Sequence, residues 1–153
     1  MRACAVALMA LAASPAAGMD TRGNLEEEIC LAEAIYHEAR GESIDGQHAV
    51  AEVALARVRS SRWPGTLCEA IYQDAQFSFV VDGVAPPMND AEARNTALRI
   101  ARFTIMVYNL PKADLDRGFA AGANHYHALY VSPSWAKNMQ RTVDIGSHRF
   151  YRD

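Results

Sequence analysis

"LAEAIYHEARGESIDGQHAV", residues 31–50, decides how the chain folds. Leu25, Ile29, Ala32 and Tyr36 recur at helical spacing, with Leu31, Ala34, Ile35 and Ala39 as apolar neighbours. Gly41 then stands where a helix stop is favoured. Asp45-Gly46 opens a second periodic run, with Val50, Val53, Ala54 and Val58 on one face. The stretch is therefore the junction of two helices. Asn24, followed three residues later by Glu27, has the pattern of a capping box, and Glu26, Glu27 and Glu28 suit the positive end of a helix dipole. The first helix is expected over 25–40.

Outward from this junction the pattern stays mostly helical. "SSRWPG" (60–65) breaks the second helix, and Thr66 with Glu69 caps a short third one through Tyr72. "QFSFVVDG" (76–83) alternates and ends in a turn pair, which predicts a strand or extended segment. Asn89 or Asp90 caps a long helix with Ala93, Ala97, Ile100, Ala101, Thr104, Ile105 and Tyr108 inward. Residues 109–122 read as a loop. "ANHYHALYV" (123–131) is strand-like, Trp135 sits in a bend, and "TVDIGSHRFYR" (142–152) predicts a strand pair around Gly146. The expected fold is α+β, mainly α: one domain over 24–153 with a small antiparallel β part.

Residues 1–18 differ from the rest. Arg2 precedes an apolar run from Ala3 to Ala13, and Ser14, Ala16, Ala17 and Gly18 follow. A basic start, a short apolar core and small residues predict an export signal cleaved after Ala16 or Gly18. The run is shorter than the ~20 apolar residues of a spanning helix; a retained anchor is the alternative. Export would leave Cys30 and Cys68 in an oxidising compartment, free either to bridge or to stay buried thiols. A net charge of −3 gives no sign of nucleic-acid binding.

Two carboxylates stand at the helix junction. Glu38 lies in the last helical turn beside Tyr36. Partial withdrawal from water and the negative helix end both favour a protonated carboxyl, the form a general acid needs. A merely solubilising glutamate fits the same position. Glu42 is either a partner carboxylate or a structural group, because Gly41 ends the helix between the two. His125 and His127 share a strand face and raise the alternative of zinc, although no second histidine completes H-E-x-x-H after His37. His127 reads as part of a polar cleft and His125 as a surface residue. Phe77, Tyr126 and Trp135 offer aromatic faces suited to sugar rings, whereas Phe79 and Tyr130 read as core packing. From Arg117 onward five Lys/Arg stand against two Asp, a modest basic rim or simply a solvated face.

Taken as a set, the motifs Y-x-E-A-R-G-E, G-Q-x-A-V-A, Q-F-S and Y-H…P-x-W-A…I-G-x-H-x-F-Y resemble the cell-wall hydrolase family of the SleB type. They lie in "LAEAIYHEARGESIDGQHAVAEVALARVRSSRWPGTLCEAIYQDAQFSF" and "GANHYHALYVSPSWAKNMQRTVDIGSHRFYR", most of the chain after its leader. The resemblance implies a lysozyme-like fold and cleavage of the MurNAc–GlcNAc β-1,4 bond of peptidoglycan. It implies Glu38 as the catalytic acid, and Gln76, Phe77, Ser78, Tyr126 and His127 as cleft-lining residues. Glu42 and Trp135 are further substrate-binding candidates. No peptidoglycan-binding repeat accompanies these motifs, which leads to the expectation of a minimal, exported, monomeric wall hydrolase with no metal or organic cofactor. The family's chemistry favours lytic transglycosylation. Hydrolysis by water, a zinc-dependent wall peptidase or amidase, and a non-catalytic wall-binding protein are the alternatives.

Overall fold

The computed structural model describes residues 21–74, 76–109 and 114–153. The expected leader and its cleavage site lie outside these residues, as does part of the loop at 109–122. Four helices come in order: α1 (Thr21–Ala39), α2 (Ile44–Val58), α3 (Leu67–Tyr72) and α4 (Ala91–Tyr108). Three strands follow: β1 (His125–Ala128), β2 (Gln140–Ile145) and β3 (His148–Arg152). This is the α+β, mainly α architecture expected from the sequence.

Helix α1 is the axis, and α2, α3 and α4 all pack on it. Its alanines, Ala32 and Ala34, let the neighbours close in, while Leu31 and Ile35 are fully buried among them. Each such aliphatic side chain contributes about 1.5–3 kcal/mol of burial. The helix begins at Thr21 rather than residue 25, so Asn24 lies inside it and is not its cap. Glu27 does not close a capping box either. Its carboxylate accepts hydrogen bonds from the backbone N–H groups of Leu67 and, at 3.4 Å, Cys68. It thus satisfies the exposed donors at the start of α3, alongside that helix's own cap Thr66. Cys30 and Cys68 are disulfide-bonded beside this contact.

Of the other caps, Asp90 is as expected, while α2 starts at Ile44 behind Ser43, just ahead of the expected Asp45-Gly46. Ser43 accepts from the Gly46 N–H at the start of α2, and Asp90 accepts from Glu92 and Ala93 at the start of α4. The Asp90 N–H itself donates to the Tyr36 hydroxyl at 3.0 Å, which ties α4 to the end of α1.

Residues 76–83 depart from expectation: they form successive turns rather than a strand. Phe77 sinks its ring into the helical core and Val80 N–H bonds back to the Phe77 carbonyl at 3.3 Å. The Asp82-Gly83 pair does turn the chain, with φ of 52° and 74°, but the arms are joined only by a bridge between Val81 and Val84. Alternation alone made the strand reading; the burial of Phe77 overrides it.

The sheet is antiparallel in the order β1-β3-β2. Phe150 is fully buried on its inner face, with Tyr126, Val143 and Ile145 packed beside it, against Ala39, Val50 and Val53. The sheet is therefore seated against the end of α1 and the middle of α2. Glu52, only 3% exposed, sits on α2 and accepts from the Tyr108 hydroxyl at 2.7 Å and the Ala120 N–H at 2.8 Å. It joins the long helix to the chain entering β1. Among the described residues no helix is long and apolar enough to cross a membrane.

The disulfide closes a sequence separation of 38 residues. Reduction should destabilise the fold by about 2–4 kcal/mol through the freed unfolded chain. Thermal melts with and without reductant measure this. Alkylation under non-reducing, denaturing conditions should leave the Cys30 and Cys68 thiols unlabelled.

Candidate active site

The end of α1, the turns at 76–80, the sheet and one residue of α2 enclose a cleft of about 570 Å³. Glu38 enters it from α1. It follows Ala34 by four residues and Ile35 by three, so it continues a face that is buried further back along the helix. Only in the last turn does that face open. Gln76, Phe77 and Ser78 come from the turns, Tyr126 and His127 from β1, His148 from β3 and Arg57 from α2.

Glu38 is half-buried and flanked by hydroxyls. Tyr126 Oη–H donates to its Oε2 at 3.2 Å, and Ser78 Oγ–H to its Oε1 at 3.5 Å. A hydroxyl can donate or accept, so both neighbours can serve Glu38 whether or not it holds a proton. Burial pushes the Tyr126 phenol well above its ordinary range, and the adjacent Glu38 carboxylate adds to this, so the phenol keeps its proton. Arg57 is only 6% exposed and its guanidinium lies 5.2 Å from the Phe77 ring. Its Nε–H donates to the Asn124 carbonyl at 2.9 Å, while Nη1 is buried with no partner. Burial lowers the affinity of Arg57 for its proton, and the neighbouring Tyr126 and Glu38 work against that loss.

The cleft's walls are pinned from outside. His37 Nε2–H donates to the Pro86 carbonyl at 2.9 Å and its ring stacks on Phe79 at 4.7 Å, holding the turn segment to α1. His127 Nδ1 faces the Ala128 carbonyl at 2.8 Å, which can only accept, so that nitrogen carries a proton. Its Nε2 meets the Tyr151 hydroxyl at 3.0 Å.

Of the residues singled out in the sequence, Glu38, Gln76, Phe77, Ser78, Tyr126 and His127 meet in this cleft. Glu42 and Trp135 do not line it. Trp135 stands behind the sheet, 5.4 Å from the His125 ring, 5.6 Å from His127 and 5.5 Å from Tyr151. His125 and His127 do share a strand face, but they flank this indole instead of a common centre. Burial and the nearby Arg57 and Arg62 pull His125 down to about 4, so it is neutral at ordinary pH. Among the described residues no three His, Cys, Asp or Glu side chains converge as a metal-binding set. Glu42 faces the β2–β3 turn. It accepts from the Ser147 N–H at 3.0 Å and from the Ser147 hydroxyl, and lies 3.8 Å from His148 Nδ1.

Sequence reasoning missed Arg57, His148 and Tyr130. Arg57 had a visible signal: it follows Val50, Val53 and Ala54 on the apolar stripe of α2, where a lone arginine is out of place. His148 alternates with the buried Phe150. Tyr130 reverses the core-packing expectation: it is 89% exposed, at the cleft mouth beside exposed Val131. The backbone there is fixed by the Leu129 N–H to Ser147 carbonyl bond at 2.8 Å and by that from Val131 to Ala128 at 3.0 Å. A larger groove, of about 760 Å³, lies between α1 and α4. It is mainly apolar, and its one carboxylate, Glu28, is paired with Arg102 at 2.9 Å.

Comparisons with known proteins point to one family. The cell wall hydrolase family profile matches residues 41–151, beginning just past Glu38. The chain belongs to the cell wall hydrolase family. It is 38% identical over 68 residues to the spore cortex-lytic enzyme of Bacillus subtilis (strain 168), a match covering 44% of this chain and 22% of that protein. The corresponding enzyme of Oceanobacillus iheyensis is 45% identical over 53 residues, covering 35% of this chain and 19% of that one. The matched stretch thus spans about a fifth of those curated relatives' length. Among solved structures, the catalytic domain of the germination-specific lytic transglycosylase SleB from Bacillus anthracis superposes with a TM-score of 0.65 at 26% identity. That superposition covers 90% of this chain and 99% of that domain. The catalytic domain of SleB from Bacillus cereus gives 0.58 at 27% identity, covering 83% and 91% respectively.

The Ser147 bonds hold the Glu42 carboxyl below its ordinary 4.5, against an opposing effect of burial and with a smaller contribution from His148. A depressed folded-state value stabilises the fold above the unfolded value and is lost as pH falls through the folded one. The melting temperature of wild type should therefore exceed that of Glu42→Gln most above the ordinary 4.5, with the gap narrowing as pH falls below it. Paired thermal melts across that range check the sign.

Proposed function

We propose that the chain cleaves the MurNAc–GlcNAc β-1,4 bond of peptidoglycan as a lytic transglycosylase, with Glu38 as its single acid and base. One observation carries the reading: among the described residues lining the cleft, Glu38 is the only carboxylate. A water-using glycosidase needs a second group to activate and aim its nucleophile. A transglycosylase takes its nucleophile from the substrate, and the intramolecular geometry supplies a high effective molarity.

Glu38, protonated, passes its proton to the O4 leaving oxygen as the C1–O4 bond breaks and positive charge develops at C1. The Glu38 carboxylate then accepts the proton of the same sugar's C6 hydroxyl. O6 bonds to C1, giving a 1,6-anhydro end with no water consumed, and the proton returns Glu38 to its starting state. Tyr126 and Ser78 hold the carboxylate oxygens between the two steps. The exposed ring of Tyr130, with Val131, offers the glycan strand an apolar face at the cleft mouth, and Gln76 and His127 offer polar contacts within it. No group beyond these side chains and the substrate enters the scheme.

The chain works as an exported monomer on wall glycan, after its leader is removed. The Cys30–Cys68 disulfide supports an oxidising compartment.

Glu38→Gln keeps the shape of the side chain and removes the proton. It should leave the melting curve unchanged and abolish release of soluble fragments from purified peptidoglycan. Retained lysis with an unchanged melt would remove Glu38 from the mechanism. Tyr130→Ala should raise KM several-fold and leave kcat nearly unchanged, because it removes a binding face remote from the carboxyl.

A further inference from the structure

We infer that Glu42 is a positioning residue: it latches the β2–β3 turn to the end of α1 and so sets the Tyr126 hydroxyl on Glu38. The inference rests on the reading of Glu38 above and gives the second glutamate of the junction a task that is not chemistry.

Glu42 is tied to the end of α1 one residue past Glu38. Its N–H bonds to the Ala39 carbonyl at 2.9 Å, and its own carbonyl accepts from the Gln47 side chain at 3.2 Å. The residue is thereby fixed relative to both α1 and α2. Its carboxylate then spans to the Ser147 N–H and hydroxyl, 105 positions along the chain. Gly146 is shaped for this contact. Its φ is +56°, and a Cβ there would stand 1.9 Å from Glu42 Oε2. Position 146 has no room for a side chain while Glu42 is latched.

The latch continues into the cleft. His148, next to Ser147, is 8% exposed, and its Nδ1 has no hydrogen-bond partner apart from its 3.8 Å approach to Glu42. Its ring meets that of Tyr126 edge-on at 5.2 Å, and Phe150 backs Tyr126 from 5.6 Å. β3 is the central strand, and β1 is paired to it with Tyr126 opposite Phe150. Where β3 begins therefore fixes where the Tyr126 hydroxyl falls. That hydroxyl bonds Glu38 Oε2, four residues before the latch. The loop closes on itself: Glu38, Glu42, the turn, His148, Tyr126 and back to Glu38. A carboxylate with two donors is the strongest short tie available at this junction.

The test is a kinetic cycle on insoluble peptidoglycan, with melting curves for every variant. Glu42→Ala should lower kcat on the order of ten- to a hundredfold with KM little changed, the size of effect that sub-ångström misplacement produces. Glu42→Gln keeps one acceptor and should recover part of the loss. Tyr126→Phe removes the hydroxyl being positioned, so Glu42→Ala should cost little further kcat in that background. Gly146→Ala provides a second route: its Cβ would push the carboxylate aside and its φ of +56° would strain the turn, with Glu42 itself left in place. Its kcat loss should match that of Glu42→Ala, and the double variant should lose less than the product of the two. Full kcat in Glu42→Ala, or the same fold-loss with and without the Tyr126 hydroxyl, would overturn the inference. Should Glu42→Ala fail to fold, the Gly146→Ala and Glu42→Gln arms decide it by the same comparison. Glu38→Gln, measured in the same series, separates the two levels. If it stays active the reading of the site fails; if it is dead while the cycle is multiplicative, only the latch fails.

Discussion

Over its last nine residues α1 has almost nowhere to turn toward water. Leu31, Ala32, Ala34, Ile35, Tyr36 and Ala39 are all buried, against α2, α3 and α4 along most of the helix and against the sheet at its end. A helix held on so many sides cannot rotate or slide without opening the core. The side chains that leave this enclosure at the last turn, His37 and Glu38, are consequently fixed in direction, and Glu38 is the one that brings a carboxyl into the cleft. Leu31→Ala or Ile35→Ala would cost about 2–5 kcal/mol and loosen the helix that carries Glu38. The carboxyl that the described residues bring into the cleft thus stands on a rigid support.

The sheet is small, and its task is to meet that helix end from the other side. It brings Tyr126, His127 and His148 opposite Glu38 and seats itself through Phe150 on Val50 and Val53. Three ties make the cleft's geometry definite: His37 to Pro86, Arg57 to Asn124 and Glu42 to Ser147. Each joins residues far apart in sequence, and each ends on a backbone group. Arg57 also leaves a buried Nη1 without a partner. A buried cation left in that condition is costly without an opposite charge nearby, and the Glu38 carboxylate is the acidic group that shares the cleft with it.

Much of this was legible in the sequence. The four helices, the caps at Thr66 and Asp90, the hairpin around Gly146 and the convergence of Glu38 with Q-F-S and Y-H could be read from spacing and resemblance. The failures have one physical cause, partners lying far along the chain. Glu27 reads as part of its own helix's cap because its true partners, Leu67 and Cys68, belong to another helix. Residues 76–80 read as a strand because alternation cannot show that Phe77 is claimed by the helical core. Glu42 stays open in the sequence between a partner carboxylate and a structural group because Ser147, whose N–H donates to it, is invisible from the junction. Tyr130 reads as core because an aromatic beside two aliphatic residues usually is, and only the turn's fixed backbone shows it held outward.

The claim on which the account turns is that a lone carboxyl suffices because the substrate supplies its own nucleophile. Digestion of purified peptidoglycan in ¹⁸O-labelled water, followed by mass spectrometry of the soluble fragments, tests it directly. The account predicts 1,6-anhydro-muramyl ends with no label incorporated. Reducing muramyl ends carrying ¹⁸O would contradict it, since water would then be the nucleophile and a second group would have to guide it.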